Sequence, residues 1–266
     1  MSRVTVSPRI RRGTLAGALC AAVLLTLPAC GAGTDEAVRN TGAEETVAAK
    51  KPAPFADLSG PEIAEKALAA LHGASSVTVQ ADVHTADEGH VVFDLTFGGK
   101  GDCAGTLSMN DEGAMALTKV GRTVYMKYDE EFLRAQNKGE PADETDAMVE
   151  MIADRWVKTD VSAPDSKDLV AFCDLDEVLA DFKDVGHAAR RGELGEVNGL
   201  PSLILTEATV GGKYTLHVAT EGEPYLLSLT ETGKEPGTMT FKDFGKPFAA
   251  KAPATKDIVD LDKLGE

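Results

Sequence analysis

The stretch Ser76-Val77-Thr78-Val79-Gln80-Ala81-Asp82-Val83-His84 decides the fold. Val77, Val79, Ala81 and Val83 alternate with Thr78, Gln80, Asp82 and His84, a period of two that gives a strand one apolar and one polar face. The same pattern continues downstream. Val91, Phe93, Leu95 and Phe97 alternate with Val92, Asp94 and Thr96, and Leu107 and Met109 follow. After the turn Asn110-Asp111-Glu112-Gly113 come Met115 and Leu117, then Val124 and Met126 beyond Gly121-Arg122. Each run is short and ends in Gly, Asn or Asp, which predicts an antiparallel meander covered on one side.

Upstream of this sheet a helix is predicted from Ser59-Gly60-Pro61-Glu62 to Gly73. Ser59 is placed to cap it, and Pro61 sits in the first turn, where a missing N–H costs nothing. Ile63, Ala64, Ala67, Leu68 and Leu71 recur at helical spacing. The chain begins differently. Arg3, Arg9, Arg11 and Arg12 form a basic segment, Thr14 to Leu27 is apolar, and Leu27-Pro28-Ala29-Cys30 closes it. Residues 1–29 therefore read as a lipoprotein signal, with Cys30 as the lipidated first residue of the mature chain. The apolar run is shorter than the roughly 20 residues of a membrane span. Arg11-Arg12 leaves Sec and twin-arginine export both open. Residues 30–57, rich in Gly, Ala, Thr, Glu and Lys, read as a flexible tether spanning about 30 Å. Residues 58–266 form the expected single domain, on the extracytoplasmic face of a membrane.

Downstream, Glu130 to Gln136 and Asp143 to Ala153 are predicted as two short helices, and Trp156-Val157-Lys158 as a brief strand. Asp165 to Phe182 is predicted as one longer helix with Leu169, Phe172, Cys173, Leu179 and Phe182 on its apolar stripe. Strands then resume at His187 to Leu194, Leu203 and Leu205, Tyr214 to Val218, Tyr225 to Leu229, and Met239 to Phe241. The total is about eleven strands in an α+β fold. Ile258 to Leu264 is a candidate final segment that docks on the rest.

The formal charge is −16, and removing the four Arg of the signal makes it −20. Phosphate would be repelled, so nucleic acid is not an expected partner. Besides Cys30, the mature chain holds only Cys103 and Cys173. In an oxidising compartment these are expected to pair, closing a loop of about 70 residues worth roughly 4 kcal/mol. Two separate buried thiols is the other reading. No hydrolase elbow, phosphate-binding loop or His-Glu-x-x-His occurs, so no catalytic residue and no cofactor is expected. Of five histidines only His84 and His90 can meet, across a hairpin, where a surface pair is the expectation rather than a metal site. Asp174, Asp176, Asp181 and Asp184 lack the glycine of a calcium loop and read as a helix's wet face.

Met109, Met115, Met126 and Met239 fall on strands at apolar parity, and Met148 and Met151 share one side of a short helix. Methionine suits a surface that repacks around varied apolar guests, and it is equally an ordinary core filler. The element order from lipobox to second meander resembles the LolA-like lipoproteins of the LprG/LppX type. So do Ala74-Ser75-Ser76-Val77-Thr78-Val79 and the ending Thr240-Phe241-Lys242-Asp243-Phe244-Gly245-Lys246-Pro247, with Pro253 beyond. That resemblance covers about residues 61–253. It implies a strongly curved, open half-barrel sheet with helices over its concave face and an apolar cavity between them. It also implies a role in holding or moving acylated lipids or lipoglycans. Strand parity puts Val79, Ala81, Phe93, Leu95, Leu107, Met109, Met115, Leu117, Met126, Leu205, Leu216, Leu227 and Met239 on the face that would line such a cavity. Met148 and Met151 would line it from a lid at Glu130 to Ala153. The expected function is a membrane-tethered lipid carrier, and the alternative is an envelope sensor with a protein partner; neither is an enzyme.

Overall fold

The computed structural model describes residues 53–260, apart from 87–88, 100 and 164–165. The signal, Cys30, most of the tether and the end of the tail lie outside the described residues. Described residues all belong to one compact unit, Lys51–Glu266.

Helix α1 (Gly60–Gly73) opens it with a full capping box: the Ser59 side chain accepts from the Glu62 N–H, and the Glu62 carboxylate accepts from the Ser59 N–H at 2.8 Å. Donation to it from the Ser59 hydroxyl and from the Ser59 N–H holds the Glu62 carboxyl below its ordinary pKa. The first meander follows as β1 (Ser76–Thr85), β2 (Gly89–Gly98), β3 (Cys103–Met109), β4 (Met115–Val120) and β5 (Thr123–Tyr128). Helices α2 (Glu130–Gln136) and α3 (Ala142–Ile152) interrupt it before β6 (Trp156–Asp160). After α4 (Lys167–Ala171) and α5 (Leu175–Val178), the second meander runs β7 (Arg190–Val197), β8 (Leu200–Thr209), β9 (Gly212–Ala219), β10 (Leu226–Thr232) and β11 (Gly237–Lys242). A short β12 (Ile258–Asp260) ends the described chain.

All twelve strands form one sheet, in the order β12-β6-β5-β4-β3-β2-β1-β11-β10-β9-β8-β7. The two meanders join where β1 pairs antiparallel with β11, Val79 opposite Phe241 and Ala81 opposite Met239. The sheet is open: β7 and β12 are its edges. Pairing is antiparallel throughout except for β12, which lies parallel to β6 and raises the strand number from the expected eleven to twelve. Crowding between strands fixes at least one sequence choice. A Cβ at Gly105 would stand 1.9 Å from the Asp94 carbonyl oxygen, so only glycine lets β3 approach β2 there.

One face of the sheet is covered. Ile63, Ala64, Ala67 and Leu71 of α1 are buried, and the helix packs on β7, β9 and β10. Cys173, between α4 and α5, is bonded to Cys103 of β3, with Cα atoms 5.3 Å apart. That bridge ties the α4–α5 segment to the other half of the sheet. The expected single helix from Asp165 to Phe182 is instead broken into α4, α5 and a 3₁₀ turn at Ala180–Phe182. Asp174 causes the break: its side chain accepts from the Asp176 N–H and caps a new helix.

Two further boundaries differ from the sequence reading. The strand expected at His187 to Leu194 is displaced to Arg190–Val197. The end of the expected tether is part of the fold, because the Arg191 guanidinium donates to the carbonyl oxygens of Pro54, Phe55 and Leu58.

Candidate functional site

Two adjoining cavities lie between the covered face of the sheet and its helical roof. The first, about 700 Å³, is floored by Leu216, Leu226 and Leu229 of β9 and β10. Its walls are Ala64 and Leu68 of α1 on one side and Leu179, Phe182 and Val185 on the other. The second, about 570 Å³, is floored by Val91, Phe93, Leu229 and Met239 and roofed by Phe172, Val178 and Phe182. Phe182 and Leu229 border both. Ring contacts hold the roof to the floor: Phe172 meets Phe93 edge-on at 6.5 Å, and Phe182 meets Tyr214 at 6.2 Å.

The mouths differ in charge. Around the first, His72 of α1 and Asp176 of α5 pair at 2.8 Å, bridging the two walls. Glu65, Lys183 and His187 stand beside them. The second carries Asp168, Glu177, Glu231 and Glu235. Burial pushes the Glu231 carboxyl up, against the opposing effect of its hydrogen bond with Tyr214. Burial also raises the Tyr214 hydroxyl.

The expected lining residues divide by position. Val79, Ala81, Phe93, Leu95, Leu107, Met115, Leu117, Met126, Leu205, Leu216 and Met239 are all buried in one apolar cluster, with Met109 packed against it. Of these, only Phe93, Leu216 and Met239 reach the two roofed cavities. The others lie in or against the buried cluster and line neither roofed cavity. Leu227 lines neither cavity. A bulge between Leu226 and Ser228 sets Leu226 opposite Val218 and Leu229 opposite Leu216, so those two line the cavity. Leu227 is buried but lies outside the main cluster.

The expected lid lies away from these two cavities. No residue of Glu130 to Ala153 lines either roofed cavity. Asp129 caps α2 through the Phe132 N–H, and Tyr128 stacks on Phe132 at 5.5 Å, which seats these helices at the β4–β5 end. Met148 is partly buried there, with its sulfur 3.5 Å from Asn137 Nδ2, while Met151 is 42% exposed. Neither lines a cavity. Residues 167–187 form the roof instead. Sequence reasoning missed Leu226, Leu229, Phe182 and Val178, although Phe182 was on the predicted apolar stripe.

Outside the cavities, His84 and His90 face each other across the β1–β2 hairpin, their rings stacked with centroids 4.4 Å apart. Among the described residues no helix is long and apolar enough to cross a membrane.

No protein-family model and no curated protein sequence matches this chain. Solved structures do. The lipoprotein LppX of Mycobacterium tuberculosis matches with 13% identity over 72% of this chain and 97% of its own, at a TM-score of 0.46. LprF of Mycobacterium bovis matches with 13% identity over 73% and 97%, at 0.47. A LolA-superfamily protein of Nitrosomonas europaea matches with 10% identity over 70% and 93%, at 0.22.

Proposed function

We propose that this protein is a membrane-anchored extracytoplasmic lipoprotein that shelters the acyl chains of a lipid or lipoglycan in its paired cavities. The observation that carries the reading is the pair of adjoining cavities, about 700 and 570 Å³, the first mainly apolar and the second apolar on its floor and roof with an acidic rim, which meet at Phe182 and Leu229. Each lies within the ~300–1,000 Å³ typical of small-molecule sites. Two chambers with a common wall suit a ligand with more than one chain. Moving a chain from water into them gains about 0.8 kcal/mol per CH₂, so binding needs no catalytic group. The lipobox at Cys30 supplies the membrane anchor. Capture and release would proceed by movement of residues 167–187, tied to the sheet between α4 and α5 by the Cys103–Cys173 bridge and latched to α1 by His72–Asp176.

A specific feature favours a second reading, an envelope sensor with a protein partner. Edge strand β7 is largely exposed and carries Leu194, with Leu200 beside it on β8, at 64% and 51% exposure. Such an edge can accept a strand from another chain. Native mass spectrometry of protein extracted from its own membrane separates the two. Adducts with lipid masses support the carrier, whereas an apo mass with a stoichiometric protein partner supports the sensor.

A further inference from the structure

The outer end of the β1–β2 hairpin brings together donors that the lipid-binding reading does not use. Asp82 and His84 stand two residues apart on β1 and so share a face. His90 lies directly opposite His84 in the register, and Asp82 is one diagonal step away. One ligand atom from each of Asp82, His84 and His90 lies within 4.8 Å of the other two. A fourth group enters from the β3–β4 turn, where Asp111 Oδ2 stands 3.2 Å from His90 Nδ1. The other ring nitrogen of His90, Nε2, lies 2.9 Å from Asp82 Oδ1.

His90 held by hydrogen bonds between two carboxylates would explain Asp82 and Asp111. It would not explain the second imidazole. A divalent cation satisfies all four groups at once. Two neutral imidazoles and one carboxylate are the donors that a borderline first-row ion prefers. Asp111 then has the role that carboxylates commonly take behind metal-bound histidines: it accepts from Nδ1–H and aims Nε2 at the ion. Ligands 2.0–2.1 Å from Zn²⁺ lie at most about 4.2 Å apart, so small side-chain rotations complete the geometry. Asp82 and His84 are exposed and free to make them. The surrounding charge of −16 favours cation capture.

We propose that Asp82, His84 and His90 form a three-ligand site for Zn²⁺ or a similar divalent ion, with Asp111 as the positioning residue behind His90 and water completing the shell. This inference stands apart from the lipid-binding reading. His84 also borders the mouth of the second cavity, so an occupied site would sit on its rim.

The test is calorimetric titration of the full chain, carrying a tag without histidine, with Zn²⁺, together with visible absorption of the Co²⁺ form. The expected result is one ion per chain and a low-coordinate Co²⁺ spectrum. His84→Ala and His90→Ala should each abolish binding, and Asp111→Asn should weaken it ten- to a hundredfold. His217→Gln should leave it unchanged. If an imidazole deletion unfolds the hairpin, the nearly isosteric Asp82→Asn supplies the same test. No saturable Zn²⁺ uptake by the parent, or uptake that survives loss of His84 and His90, would overturn the site.

Discussion

Removing the Cys103–Cys173 bridge perturbs the part of the fold that roofs the cavities. The two cysteines are 70 residues apart in sequence. A loop of that length gives a chain-entropy stabilisation of about 4.4 kcal/mol at 25 °C. The clean perturbation is the double change Cys103→Ala and Cys173→Ala. Both side chains are buried in the apolar cluster, at 0% and 4% exposure, so alanine adds no polar group to the interior. For a domain of this size each kcal/mol moves the melting temperature by roughly 2–4 °C, so the shift should be about 9–18 °C. Melting followed by circular dichroism, for oxidised protein, reduced protein and the double variant, reads it directly. The reduced and doubly substituted forms should agree closely. Because Cys173 sits between α4 and α5, the same loss should weaken binding of an apolar probe in the native state. A shift below about 3 °C, under ~1 kcal/mol, would refute the argument that the bridge constrains this loop.

Three other outcomes follow from single sites. Gly60→Ala should destabilise by at least the ~1–3 kcal/mol of an overpacked core, because the new Cβ would lie 2.0 Å from the Ala189 carbonyl oxygen; denaturant unfolding measures it. His217 has its pKa lowered by burial, so the folded state binds its proton less readily than the unfolded state. Its stabilising contribution is present above the ordinary value of 6.5 and is lost as pH falls through the lowered one, and His217→Gln should flatten that part of a melting-temperature profile. Cys30→Ala should leave an uncleaved precursor or release protein from the membrane, which fractionation and intact mass distinguish from normal processing.

The strands were legible because alternation survives wherever one face is buried. β1, β2 and β11 carry that pattern, broken in β2 by Val92, and their pairing puts Ala81, Phe93 and Met239 side by side as parity required. The cap of α1 was equally plain, since Ser59 and Glu62 act locally. What failed depended on contacts distant in sequence or on a single inserted residue. Asp174 reads as one more polar position on a helix until its carboxylate is seen capping α5. The β10 bulge slips the register by one, which no parity argument detects, and so Leu226 and Leu229 take the places assigned to Leu227. Parity also separates faces without separating core from cavity. Leu117 and Leu216 look alike in sequence, yet only Leu216 lies under the roof. The lid was misplaced for a related reason: Met148 and Met151 suggested an apolar guest, whereas Met151 faces solvent.

The central claim, that the space beneath residues 167–187 receives an acyl chain, is tested most directly by Leu229→Trp. Leu229 borders both cavities, so an indole there fills ligand space. Leu117→Trp is the matched control, since Leu117 is fully buried in the cluster and lines neither roofed cavity. Melting temperature and affinity for a fluorescent fatty acid are measured side by side on the parent and both variants. The account predicts that the parent binds the probe and that Leu229→Trp abolishes binding with a melting temperature near the parent's. Leu117→Trp should lose the ~1–3 kcal/mol of an overpacked core. A parent that binds no probe, with Leu229→Trp as destabilising as Leu117→Trp, would contradict it.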